Sequence, residues 1–129
     1  MAQRYVTGWK LDAEDRARLL LRFAPLFPDV VADHVTLRTG TNGETRLPSH
    51  TCGEIVGEID DGRGVQALVV QIGGTTRRED GSTYHITWSL DRARGRRAVE
   101  SNVVIAEHGW RTLAEPVSLA LTPAHFLFG

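Results

Sequence analysis

The chain has 129 residues, of which 41% are apolar and 24% charged, and its formal net charge is −1 at pH 7. These values predict one folded domain over residues 1–129, and the near-zero charge argues against a long basic track for nucleic acid. A single cysteine excludes an intramolecular disulfide. The sequence shows neither a membrane-spanning apolar run nor a signal peptide, so we expect a cytoplasmic protein.

The predicted fold begins with a strand over residues 4–11, which are rich in β-branched and aromatic side chains, followed by a helix. Asp12 is placed to cap the helix N-terminus, and the acidic residues after it suit the positive end of the helix dipole. Pro25 ends the helix, because the residue before a proline avoids helical geometry.

Residues 30–39 are rich in β-branched side chains, which predicts one continuous strand. Since successive side chains of a strand point to opposite faces, His34, Thr36 and Arg38 share one face, and Asp33 is expected on the other. Residues 40–51 are rich in Gly, Asn, Thr, Pro and Ser, which predicts a loop.

The second half of the chain predicts mainly strands. Residues 52–72 predict a β-hairpin, and residues 83–91 predict a strand on which His85 and Thr87 share a face. A short helix beginning near Ser101 and three strands follow, over residues 110–113, 117–121 and 125–128. The fold class is therefore α+β, a mostly antiparallel sheet with one or two helices packed on one face.

A four-residue pattern of histidine, apolar residue, threonine and apolar residue occurs twice, in His34-Val35-Thr36-Leu37 and His85-Ile86-Thr87-Trp88. Composition alone predicts roughly 0.08 such tetrapeptides in a chain of this kind, so two copies indicate a functional pair. Both copies fall in predicted strands. If the two strands lie side by side, two imidazoles and two hydroxyls meet in one groove.

Paired motifs of this kind are typical of the two-histidine phosphoesterase superfamily, and the chain resembles a compact member of it. The stretch Ala32-Asp33-His34-Val35-Thr36-Leu37 is similar to the first motif in the cyclic phosphodiesterase domains of fungal tRNA ligases and of bacterial RNA-repair-like relatives. Tyr5-Val6-Thr7-Gly8-Trp9 before a helix, and Ser101-Asn102 after the second motif, fit the same layout. The resemblance implies a compact, two-lobed sheet that lines a cleft.

The resemblance also implies the reaction, in which water opens a 2′,3′-cyclic phosphate without a metal or other cofactor. Residue chemistry is compatible with it, because one imidazole can accept a proton while the other donates one. Thr36 and Thr87 can donate hydrogen bonds to the phosphate oxygens. By analogy with the family, His85 is expected to be the base and His34 the acid. The expected partner is an RNA end or a small nucleotide that carries a cyclic phosphate; no membrane is expected, and the sequence says nothing of oligomeric state.

Six further residues are candidates for binding the substrate. Arginine suits phosphate recognition, and an aromatic ring can stack on a nucleobase. The alternative for each residue is an ordinary structural role, as a solvated arginine or a core aromatic. The candidates are Arg38, Arg77 and Arg78 for the phosphate, and Tyr5, Trp9 and Tyr84 for the base.

Two other interpretations of the doubled motif stay open. The histidines could be hydrogen-bonded residues of a sheet with no chemistry. A non-catalytic module could bind nucleotides or RNA ends in the same groove. Within the enzymatic interpretation, the reverse reaction would join RNA ends instead of opening a cyclic phosphate.

Overall fold

The computed structural model describes residues 5–127, which form one seven-stranded antiparallel sheet and two helices, so that the α+β prediction is confirmed. The sheet order is β2-β6-β5-β4-β7-β1-β3. No ladder joins the edge strands β2 and β3 within these residues, so the sheet is not a closed barrel. The strands are β1 (Tyr5–Leu11), β2 (Asp29–Val30), β3 (His34–Thr41), β4 (Cys52–Asp60), β5 (Val65–Gln71), β6 (His85–Leu90) and β7 (Arg111–Leu127).

The long strand β7 joins two halves of the sheet. Its first part pairs with β4, and its last part, from Leu121 to Leu127, pairs with β1. One half of the sheet thus contains β3, β1 and the end of β7, and the other contains the start of β7 with β4, β5, β6 and β2. The first histidine motif begins β3 and the second begins β6, so the two motifs lie in different halves.

The prediction of three separate strands at the C-terminal end is wrong, because β7 is continuous from Arg111 to Leu127. Pro116 lies in a bulge, where four residues of β7 stand opposite the single residue Val56 of β4. Pro123 lies beyond Ala120, the last residue that pairs with β4, where only β1 pairs with the strand. Proline is tolerated at bulges and on unpaired strand sides, so neither proline ends the strand.

The prediction of one strand over residues 30–39 is also wrong, because the chain leaves the sheet at residues 31–33. The backbone N–H of Val31 donates to the carbonyl of Trp88 at 2.9 Å, and that of Ala32 donates to the carbonyl of Thr87 at 3.0 Å. Ala32 is fully buried and has φ 43°, a left-handed conformation that turns the chain away from β6. His34, two residues later, then pairs with Lys10 of β1. The crossing places the first motif beside the second.

Helix α1 (Ala13–Arg22) begins as predicted, with the Asp12 carboxylate accepting a hydrogen bond from the N–H of Asp15 at 3.0 Å. The helix covers one face of the sheet, where Leu19 packs with the side chains of the main core. That core includes Val35, Ile86 and Trp88, the apolar residues of both motifs that point away from the histidines.

Helix α2 (Glu100–His108) covers the opposite face, where Ile105 packs on Ala67 and Val69. The expectation that the helices share one face is therefore wrong. Because α1 buries the apolar side of the motif strands, the histidine side lies toward α2. A 3₁₀ turn at Arg92–Arg94 lies in the connection between β6 and α2. Helix α2 ends before Gly109, as predicted.

No helix within residues 5–127 is long and apolar enough to cross a membrane.

Candidate functional site

The structure places all four motif side chains around one small cavity of about 70 Å³. His34 and Thr36 come from β3, and His85 and Thr87 come from β6. The two strands are not hydrogen-bonded neighbours; residues 31–32, just before β3, bind to β6 and bring the motifs together. The remaining lining comes from Arg78, from Val6 and Thr39, and from Ala98, Val99 and Asn102 at the start of α2.

His85 is a buried, neutral imidazole. Its Nδ1 lies 2.8 Å from the carbonyl oxygen of Thr83, which can only accept, so Nδ1 carries the proton and Nε2 the lone pair. Burial lowers the pKa of His85 to about 4, and the nearby positive charge of Arg78 acts in the same direction. The ring is therefore held in the form that accepts a proton.

His34 is held by a carboxylate. Its Nδ1 lies 3.0 Å from Oδ2 of Asp33, and its ring packs at 4.6 Å from the ring of Phe126. Burial lowers the pKa of His34 below its ordinary value, Asp33 opposes this shift, and Lys10 adds to it. The expectation that Asp33 points to the other face is wrong, because Asp33 precedes β3 and strand alternation does not apply there.

The two motif hydroxyls have different surroundings. Oγ1 of Thr87 lies 2.9 Å from Oγ of Ser101 and 3.3 Å from the carbonyl of Ala98. If the Ser101 hydroxyl donates to Thr87, the Thr87 hydroxyl can donate only to the carbonyl of Ala98, at 3.3 Å. This long hydrogen bond can be exchanged for one to a bound phosphate oxygen. Thr36 is half-buried at the cavity wall. Ser101 is fully buried. The sequence gives it no role beyond fitting the layout after the second motif.

Arg78 is the cation of the cavity. It is 8% exposed, and its guanidinium binds the Asp80 carboxylate through two hydrogen bonds of 3.0 and 3.1 Å. Its Nη1 also lies 3.5 Å from the carbonyl of Thr36, so a loop of one half reaches the motif strand of the other. The hydrogen bonds from Arg78 hold the pKa of Asp80 well below its usual range.

The other predicted binding arginines and Tyr5 lie outside this cavity. Arg38 is exposed and pairs with Glu79 at 2.6 Å, and Arg77 is exposed. Tyr5 is half-buried at the start of β1, opposite Leu127. The structure therefore brings only one of the three arginines to the motif histidines.

Trp9 and Tyr84 are core residues, which is the alternative that the sequence left open beside stacking on a base. They are 1% and 8% exposed, and their rings meet edge to face with centroids 5.8 Å apart. Trp9 belongs to the same core cluster as Leu19 of α1, and its Nε1 donates to the carbonyl of His50 at 2.8 Å. A ring packed in this way has no open face for a nucleobase.

The first turn of α2 adds positive potential and one unsatisfied acceptor. No side chain caps this helix start, but the N–H groups of residues 100–102 donate to the carbonyls of residues 97–99 and Glu100 lies in the first turn, so only the helix dipole favours an anion here. Asn102 donates through Nδ2 to the carbonyl of Val99 at 3.1 Å. Its Oδ1 is buried, and within residues 5–127 it is the one buried side-chain polar atom without a partner. Such an atom can accept a hydrogen bond from a ligand hydroxyl.

Within the part of the chain that the structure describes, no three histidine, cysteine, aspartate or glutamate side chains converge to hold a metal ion. Comparisons with protein-family models, with curated proteins and with solved structures gave no match.

Proposed function

We propose that the protein is a phosphoesterase that opens a 2′,3′-cyclic phosphate by acid–base catalysis between its two histidines, without a metal. The observation that carries the proposal is that His34 and His85 line the same cavity of about 70 Å³. This space admits a few water molecules or one phosphate group, but not a nucleoside. The sugar and base of a substrate would remain outside, which suits both an RNA end and a free nucleotide.

The proton affinities of the two rings support the assignment of their roles. His85 has a pKa of about 4, while Asp33 offsets part of the shift at His34. The ring that holds a proton less tightly serves as the base, and the other serves as the acid. A phosphate bound between them raises the pKa of both rings through its negative charge, and His34 is the first to become protonated as the pH falls.

The steps follow from these roles. Nε2 of His85 takes a proton from water as the water oxygen attacks phosphorus and forms a new P–O bond. One bond between phosphorus and a ribose oxygen then breaks, and the leaving oxygen takes a proton from His34. The product is a ribose phosphomonoester, and transfer of a proton from His85 to His34 through solvent restores both rings.

Negative charge on the phosphate oxygens is balanced by fixed groups of the cavity wall. Arg78 supplies a positive charge that its ion pair with Asp80 partly balances, Thr87 and Thr36 supply hydroxyl donors, and the start of α2 supplies a partial charge. Because these groups are held by packing and hydrogen bonds, little reorganisation accompanies the reaction.

The test is an assay of nucleoside 2′,3′-cyclic phosphate hydrolysis with EDTA present, in which the product is identified by phosphorus NMR. We expect turnover and a bell-shaped pH profile of kcat/KM. This profile should rise as His85 loses its proton near pH 4 and fall as His34 loses its proton below about 6.5. No turnover with mononucleotides and with RNA oligomers ending in a cyclic phosphate would overturn the proposal.

A second candidate is a module that binds phosphorylated RNA ends or nucleotides in the same cavity without reacting with them. The observation that favours it is the lowered pKa of both histidines, because at pH 7 neither ring of the ligand-free protein is charged. Saturable binding of the cyclic phosphate in calorimetry, with no product after prolonged incubation, would support this candidate. We propose the cytoplasm as the location for either function.

Replacing Arg78 by methionine is expected to lower kcat/KM by about 10- to 100-fold, the range expected when a hydrogen bond to a charged group is lost. Loss of this positive charge should also raise the pKa of His85, which moves the acid limb of the pH profile upward. Arg77→Met is the matched control, since Arg77 is the adjacent residue, is exposed and lies outside the cavity. Equal effects of the two substitutions would contradict the role of Arg78.

A further inference from the structure

One carboxylate oxygen near the cavity contacts both an ammonium and an imidazole. Oδ2 of Asp33 lies 2.5 Å from Nζ of Lys10 and 3.0 Å from Nδ1 of His34. Lys10, the only lysine of the chain, stands directly opposite His34 in the β1–β3 ladder. Its ammonium also lies 4.5 Å from the centre of the Phe126 ring, which packs against His34.

The backbone fixes this cluster in place. The N–H of Leu11 donates to the carbonyl of Asp33 at 3.1 Å, so the residues after the crossing are tied to β1. The cluster therefore depends on the turn at Ala32, which a continuous strand would not contain. In a continuous strand, Asp33 would face the main core and His34 would lack its carboxylate.

Asp33 and Lys10 act on His34 in opposite directions. A carboxylate at Nδ1 orients the ring, places its neutral-state proton on Nδ1 and favours the protonated ring. Lys10 neutralises part of that carboxylate charge and so limits the effect. Asp33 and Lys10 are 48% and 40% exposed in their side chains, so their effects are partly screened by solvent.

We propose that Asp33 and Lys10 are positioning residues that set the orientation and proton affinity of His34 for its role as the acid. The inference rests on the proposed function. The charged and titratable groups that face His34 from across the cavity are His85 and Arg78, and both residues are kept in the Asp33 and Lys10 variants.

The experiment combines NMR titration of the His34 ring with the pH profile of kcat/KM, in the wild type, Asp33→Asn and Lys10→Met. The His34 signal is assigned by its loss in His34→Asn. We expect Asp33→Asn to lower the titration midpoint of His34 and Lys10→Met to raise it, each by about 0.5 to 1 pH unit at low salt. The alkaline limb of the rate profile should move by the same amount and in the same direction.

Salt and a second carboxylate provide the controls. Both shifts should shrink in 1 M NaCl, because the pair is partly exposed. Glu79→Gln, which removes an exposed carboxylate that pairs with an arginine outside the cavity, should leave the His34 midpoint unchanged.

The outcomes separate the two proposals. Midpoints that do not move, or that move in the same direction in Asp33→Asn and Lys10→Met, would overturn the positioning role even if the protein is active. Opposite shifts in a protein that has no turnover would overturn the proposed function and leave the effect on His34 established. Opposite shifts in both the midpoints and the alkaline limb would support both proposals.

Discussion

Replacing either motif histidine by asparagine is expected to lower kcat/KM for a nucleoside 2′,3′-cyclic phosphate by about 10²- to 10⁴-fold. Asparagine is the informative substitution, because its amide nitrogen stands near the position of Nδ1. In His85→Asn it can still donate to the carbonyl of Thr83, and in His34→Asn it can still donate to Asp33. The local hydrogen bonds are thus retained while the nitrogen that exchanges a proton with substrate is removed.

The double variant and a third histidine make the test specific. If the two rings act in one concerted transfer, the double variant should lose far less than the product of the single losses. His125→Asn is the control, since His125 lies outside the cavity, with its Nδ1 2.9 Å from Oγ1 of Thr7. A single histidine variant that keeps more than about a tenth of the wild-type kcat/KM would contradict the mechanism.

Acid is expected to destabilise the wild-type protein by about 3 kcal/mol more than the His85→Asn variant between pH 7 and pH 4. The pKa of His85 is lowered by burial from an ordinary 6.5 to about 4. The unfolded chain therefore binds a proton at a pH where the folded chain does not. The stabilising contribution of neutral His85 is full above pH 6.5 and is lost as the pH falls toward 4.

Urea unfolding of both proteins at several pH values between 4 and 7.5 measures this difference. The comparison removes the contribution of the carboxylates, which titrate in both proteins. The free energy of unfolding of the wild type should show an additional slope that corresponds to about one proton bound on unfolding. Parallel curves for the two proteins would show that His85 is solvated, and the cavity would then lack the buried base described above.

The features that the sequence predicts well are local. The alternation of side chains in a strand places His85 and Thr87 on one face and Ile86 and Trp88 on the other, and the structure has this arrangement. The N-cap at Asp12 is likewise a matter of neighbouring residues. In each case a short-range geometric rule determines the result, so no knowledge of the tertiary structure is needed.

The break at residues 31–33 shows why other features could not be predicted. The stretch is rich in β-branched residues on both sides of the break, and the left-handed conformation falls on Ala32, a residue type that gives no signal for it. The position of Asp33 beside His34 follows from that turn. Because the turn at Ala32 was not predicted, the contact between Asp33 and His34 was not predicted either.

Tertiary placement also decided among the candidate binding residues. Arg77 and Arg78 are adjacent in the sequence, yet the first is exposed and the second is buried at the cavity. The contact of Arg78 with Asp80 is local, but its contact with the Thr36 carbonyl comes from the other half of the sheet, which the local sequence does not reveal. Trp9 could have been assigned to the core only by knowing that its side of β1 faces α1.

Because β7 pairs with both β4 and β1, the two halves of the sheet can be joined only after β7 has been synthesised. On a ribosome, the chain emerges from its N-terminal end, so β1 and β3 appear long before the strand that connects them to β4. Tyr5 pairs with Leu127, a contact between residues far apart in sequence, and closure of such a long loop slows folding. Both histidine motifs will have left the ribosome before the part of β7 that pairs with β1, so the sheet that carries them is completed last.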